Sequence, residues 1–183
     1  MKCEKMNVKK LLTDAAFLFL VGSLIGWLYE VGLHLVKDGV FVNRGMLHGP
    51  WVPIYGLGCM MMVLLKKFVG NRPVLYFVTS VVGCSVMEYG SSWLSEKLYH
   101  ARWWDYSNCP LNLNGRVFLG GLLGFGIAGC IFVFMLLPVL KKQYQKIPEK
   151  LKEHAAALFQ VVFAADLAVS LLSPNMGFGI TSY

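Results

Sequence analysis

Apolar residues along this chain come in five long stretches, and most of its polar residues are gathered between them. The stretches run from about Leu12 to Val36, Trp51 to Val69, Val74 to Leu98, Val117 to Leu140 and Ala155 to Leu172. About 20 apolar residues in a helix are needed to cross ~30 Å of hydrocarbon, and only helices or closed barrels satisfy their own backbone groups there. The pattern therefore predicts an all-α, polytopic membrane helical bundle with five transmembrane helices. Pro73 suits the start of the third, since proline is tolerated in a first helical turn. The fifth stretch is the shortest and carries Gln160 and Asp166.

Two connections hold unusual polar residues. The first runs Gly39 to Gly56 and contains Asn43, Arg44 and His48; the second runs His100 to Arg116 and contains Arg102, Trp103, Trp104, Asp105, Asn112 and Asn114. Five antiparallel spans put both connections on one membrane face as structured loops. Of the 17 Lys and Arg residues, twelve fall at the N-terminus and in the other two connections, and five lie on the loop side. The positive-inside rule then puts the N-terminus in the cytoplasm and both loops, with the C-terminus, outside a bacterial cytoplasmic membrane. The lysine-rich start resembles a signal peptide, but its apolar run is long and includes Glu30, so it reads as a retained first helix.

Composition agrees. With 56% hydrophobic and 15% charged residues, a soluble domain of 183 residues is excluded, and residues 1–183 read as one membrane domain. The net charge of +7 does not imply nucleic acid, because the basic residues flank apolar segments and form no stripe. The linker from Lys141 to Glu153 reads as a solvated basic anchor at lipid headgroups. Of the five cysteines, Cys59, Cys84 and Cys130 fall in apolar segments and Cys3 and Cys109 outside them; no disulfide framework or zinc ribbon is implied.

Carboxylates inside apolar helices are costly and point to function. Glu30 shares a helix face with Ser23, Trp27 and His34, so Glu30 and His34 could make a hydrogen-bonded pair, a proton relay or half of a metal site. Glu88 shares a face with Ser85, Ser92, Ser95 and Tyr99. Brought together, the two glutamates could share a proton, bind a cation, or pair with Arg44, Arg102 or Arg116. Asn114-Gly115 is a turn signal, and Trp103 and Trp104 suit the interfacial aromatic belt. Gly120-xxx-Gly124 and Gly22-xxx-Gly26 allow close helix approach. Asp166 requires a polar partner in the bundle.

No GxxxxGK[ST] loop is present, so any ATPase must be a separate chain, and no GxSxG elbow or HExxH pair supplies hydrolase or zinc chemistry. No cofactor or metal is expected, and an enzyme is the less favoured reading.

Gly26-Trp27-x-Tyr29-Glu30, Asn43-Arg44-Gly45-x-Leu47-His48-Gly49-Pro50-Trp51-x-Pro53-Ile54-Tyr55-Gly56, Glu88-Tyr89-x-Ser91, Arg102-Trp103-Trp104-Asp105-Tyr106-Ser107 and Asn112-Leu113-Asn114-Gly115-Arg116 together resemble the CmpB family of bacterial integral membrane proteins. That family carries the label "putative ABC-transporter type IV permease" and is grouped with a vertebrate multi-span membrane protein family. The resemblance covers about residues 17–140, with a less diagnostic fifth helix and tail over about 155–183. It implies a permease-like component with the lipid bilayer and a separate ATPase or other membrane subunit as partners. The expected substrate is polar or amphiphilic, held at an outward-facing polar pocket between the first, third and fourth helices. Its lining would be Glu30, Asn43, Arg44, His48, Glu88, Arg102, Trp103, Trp104, Asp105, Asn112, Asn114 and Arg116. Two other readings stand beside it. An intramembrane enzyme on an outer-leaflet lipid or lipid-linked headgroup would use Glu30, Glu88, His48 and Asp105, and a scaffold would bind another membrane protein through its glycine-lined helices.

Overall fold

The computed structural model describes residues 8–177 and 181–182. Lys2, Cys3 and Lys5, which enter the charge and cysteine readings, lie outside the described residues. Among the described residues, six helices carry the fold: α1 (Val8–Asp38), α2 (Pro53–Val69), α3 (Pro73–Tyr99), α4 (Leu119–Ile131), α5 (Leu137–Gln145) and α6 (Glu149–Leu172). A π-helical turn at Phe132–Leu136 joins α4 to α5, so these form one continuous rod, Leu119–Gln145. Proline stands in the first turn of α2 and of α3, where the missing N–H has no intrahelical partner to lose. Gly70, at φ 68°, ends α2, and His100, at φ 51°, ends α3 in the left-handed conformation.

Four of these rods are long and apolar enough to cross a membrane: α1, α3, Leu119–Gln145 and α6. The expectation of five is met for four. At 17 residues α2 spans only ~25 Å, just short of the hydrocarbon thickness, although it packs along α1 and α3. Four two-residue strands among the described residues also qualify the all-α expectation. Strand β1 (Ala101–Arg102) pairs antiparallel with β4 (Thr181–Ser182), and β2 (Asn112–Leu113) pairs antiparallel with β3 (Val117–Phe118). Asn114 and Gly115, with φ of 54° and 68°, make the turn between β2 and β3 that their sequence predicts.

The helix α1–α2 contact is close because small residues face each other: a Cβ on Gly22 would meet Cys59 Sγ at 2.8 Å and the Gly56 Cα at 3.1 Å, and one on Gly26 would run into the Tyr55 ring. Gly126 and Gly129 do the same for α4, against Phe77 and Val81 of α3 and Met62 of α2. Buried Met62, Tyr76, Cys84, Val133 and Leu137 form the main core, while Leu47, Trp51 and Phe159 form a second core beneath the first loop.

All these contacts sort the connections onto two ends. Residues 39–52 and 100–118 meet at one, the loop end, where Arg44 Nη2 donates to the Trp103 carbonyl at 2.8 Å. The start of α1 and the α5–α6 corner meet at the other, the basic end, joined by Lys9–Glu153 at 2.7 Å and by Phe17 packed on Tyr144.

Candidate functional site

At the loop end, helix ends and loops enclose a nest of acidic and phenolic groups. Glu30, in the penultimate turns of α1, accepts a hydrogen bond from Tyr55 Oη at 2.6 Å, and its other oxygen faces Arg44 Nε at 3.6 Å. Glu88, just past the midpoint of α3 toward the loop end, is 7% exposed and accepts from Tyr106 Oη at 3.2 Å. The two carboxylates lie within electrostatic reach of each other, as do the two phenols. Among the described residues Glu88 has no ion pair. Burial, and next the Glu88 carboxylate, push the Tyr106 phenol well above its ordinary pKa, so it stays a donor.

The other arginines go elsewhere. Glu96 Oε2 lies 2.6 Å from Arg102 Nε and 2.6 Å from Arg116 Nη2, and Arg116 Nη1 also donates to Ser92 Oγ at 3.1 Å. Arg116 is buried, with its guanidinium over the Tyr89 ring. This cluster fastens the β2–β3 hairpin onto α3.

The remaining candidates shape the loops. Asn43 accepts from Trp27 Nε1 at 2.6 Å and donates to the His48 carbonyl at 2.8 Å. The His48 ring meets the Ser173 carbonyl at 2.8 Å, so it points to the end of α6. The indole of buried Trp103 donates to the Asn175 carbonyl at 3.2 Å, and that of Trp104 to the Arg116 carbonyl at 2.9 Å. Asp105 accepts from Ser107 Oγ at 2.6 Å and Ser107 N–H at 2.9 Å; these bonds hold its carboxyl below the usual range. Asn112 donates to the Cys109 carbonyl and accepts from Gly115 N–H, and Asn114 donates to Tyr89 Oη at 3.0 Å.

The structure thus brings Glu30 and Arg44 together with Glu88 in electrostatic reach of Glu30, and gathers Arg102 and Arg116 at Glu96, two turns beyond Glu88 along α3. His48, Asp105, Asn43, Asn112 and Asn114 have loop-forming contacts of their own. Glu30 and His34 do not pair: His34 Nδ1 meets Asp38 Oδ2 at 2.7 Å. Asp166 finds its polar partners in the first loop, accepting from the N–H groups of His48 and Gly49 and from Trp51 Nε1 at 2.6 Å.

Three contributors lay outside the sequence candidates: Tyr55, Tyr106 and Glu96. Tyr55 comes from α2, which supplies the nest where α4 was expected to. Glu96 follows Glu88 and Ser92 at i+8 and i+4, so the helical spacing itself carried the signal. Two clefts lie at the basic end, one lined by Ala16, Phe17, Tyr144 and Phe159 and the other by Lys9, Thr13 and Glu153.

No curated protein and no solved structure matches the chain. A family described as "Putative ABC-transporter type IV", ABC_trans_CmpB, matches residues 17–171 and so extends beyond the 17–140 core through nearly all of α6. With four membrane-length helices and a family match over most of its length, the chain is an integral membrane protein belonging to the ABC_trans_CmpB family.

Proposed function

We propose that this protein is a permease-like component that handles a polar or amphiphilic substrate at the loop end, with Glu88 and Glu30 as the groups that respond to it. The observation that carries the reading is Glu88: a carboxylate buried on a membrane-length helix, beside a second carboxylate, with a phenol and no ion pair among the described residues. Such a group is costly to keep unless a proton, a cation or a substrate meets it in the working cycle. Arg44, His48, Asn43, Arg102, Asp105 and Arg116 form the rim through which substrate arrives. The family description supports transport, and energy would come from an ATPase on another chain.

In this reading α2 is a fifth span, with helix ends that reach the interfaces, and the loop end faces away from the cytoplasm. The basic end carries Lys66, Lys67, Arg72 and the lysines of residues 141–152, which supports that orientation. Cys109, in the second loop, reports it: an impermeant maleimide should label it in intact cells, with Cys109→Ser as the control. Protection until lysis contradicts the orientation.

A scaffold reading has one observation in its favour, since Arg102 and Arg116 are both engaged internally by Glu96. Metabolite and lipid profiles of a deletion strain separate the two. Transport predicts that one polar or amphiphilic class shifts between cell and medium or between leaflets. Unchanged profiles, with loss of another membrane protein from the membrane, support the scaffold.

A further inference from the structure

A cleft of about 320 Å³ opens at the basic end, between the start of α1 and the corner joining α5 to α6. Its walls are almost wholly apolar: Ala16, Ala155 and Ala156 leave the room, and Phe17, Leu20 and Phe159 form the floor. The volume is at the lower end of small-molecule sites, enough for a stretch of one flexible chain. At one end the lining changes character. Lys152 is buried, with its ammonium 2.8 Å from Glu149 and over the Tyr144 ring, and Tyr144 Oη donates to Asp14.

Charge surrounds that polar end. Residues 141–152 hold five lysines and one glutamate, and Lys142, Lys146 and Lys150 are exposed. Glu149 satisfies Lys152, which leaves the exposed lysines as the source of attraction for an anion. An apolar slot between membrane helices, beneath a lysine-rich corner, matches a molecule with a hydrocarbon tail and an anionic head. We propose that this cleft is a binding site for an anionic phospholipid, one acyl chain lying on Phe17 and Phe159 and the phosphate reaching Lys142, Lys146 and Lys150. Because α6 packs on the rest of the bundle mainly through α1, the lipid would complete the seam between them. This site stands apart from the loop-end nest and does not depend on the transport reading.

Native mass spectrometry of the detergent-solubilised full chain with added phosphatidylglycerol or phosphatidylcholine tests it. A retained phosphatidylglycerol is expected, preferred roughly tenfold over phosphatidylcholine. The triple variant Lys142→Gln, Lys146→Gln, Lys150→Gln should lose the preference, and Ala156→Phe, which fills the slot with all lysines present, should lose retention. Equal retention of the two lipids overturns the site. So does a preference that survives both variants, and so does a preference that Ala156→Phe leaves intact, which would put the lipid on the lysine surface outside the cleft. Melting of both variants in detergent, followed by circular dichroism, shows that each is folded when it is scored.

Discussion

Arg44 and Trp103 tie the two loops together: the guanidinium Nη2 donates to the Trp103 carbonyl at 2.8 Å across 59 positions of sequence, while its Nε faces Glu30. One side chain thus links the end of α1, the first loop and the second loop. Because the guanidinium is planar, it serves a carboxylate and a carbonyl at once in a way an ammonium cannot.

Arg44→Ala should therefore destabilise the protein by about 3 kcal/mol, since it leaves Glu30 without its cation and a buried carbonyl without its donor. Arg44→Lys should recover only part of this. Thermal unfolding in detergent measures both, and an alanine variant as stable as wild type contradicts the linkage.

At the α1–α2 crossing, a Cβ added to Gly56 meets the Phe19 carbonyl oxygen at 2.6 Å, a backbone atom that cannot rotate away. Gly56→Ala should cost about 1–3 kcal/mol by overpacking. Gly90 has nothing within 4 Å of its missing Cβ, and Gly90→Ala should be neutral or slightly stabilising. Equal melting temperatures for the two variants would mean that the helices approach less closely than described.

Asp166 holds the first loop onto α6 through two backbone N–H groups and the Trp51 indole. Asp166→Ala should cost about 1–3 kcal/mol and expose Trp51, shifting its fluorescence to longer wavelength. An unshifted spectrum would show that Trp51 is held by its contacts with Phe159 and Phe163 alone.

The turn at Asp105 has a definite pH dependence. Ser107 holds the carboxyl below its ordinary pKa, so the folded turn gains stability that is fully present above the unfolded value of about 3.9 and is lost as pH falls through the lower folded value. The protection of the Ser107 and Gly115 amides from exchange, relative to their intrinsic rates, should fall on acidification below about pH 4. In Asp105→Asn that acid-induced change should be absent.

Much of this was legible in the chain. Apolar run lengths gave the long helices and, by their alternation, brought both loops to one end; Asn114-Gly115 gave the hairpin turn, and Arg44 is one of three arginines the sequence offers to the glutamates. Other features depend on partners that no spacing reveals. Asp166 binds main-chain N–H groups of the first loop, and a backbone donor leaves no mark in side-chain composition. The pairing of residues 101–102 with 181–182 joins distant segments through their backbones. Short α2 reads as a span from its hydropathy, yet its 17 residues fall at the limit of the required length. Pairing of Arg102 or Arg116 with Glu30 or Glu88 is one of the alternatives the sequence leaves open. Glu96, one turn beyond Ser92, is closer to the hairpin and takes both.

The most direct measurement is complementation of a deletion strain by Glu88→Gln. Glutamine keeps the shape and the hydrogen bond from Tyr106 but cannot ionise, so the variant should accumulate to wild-type levels and fail to restore the deletion's lipid and metabolite profile. Full restoration at normal protein level would contradict a working role for this carboxylate and leave the loop-end nest as a structural fastening.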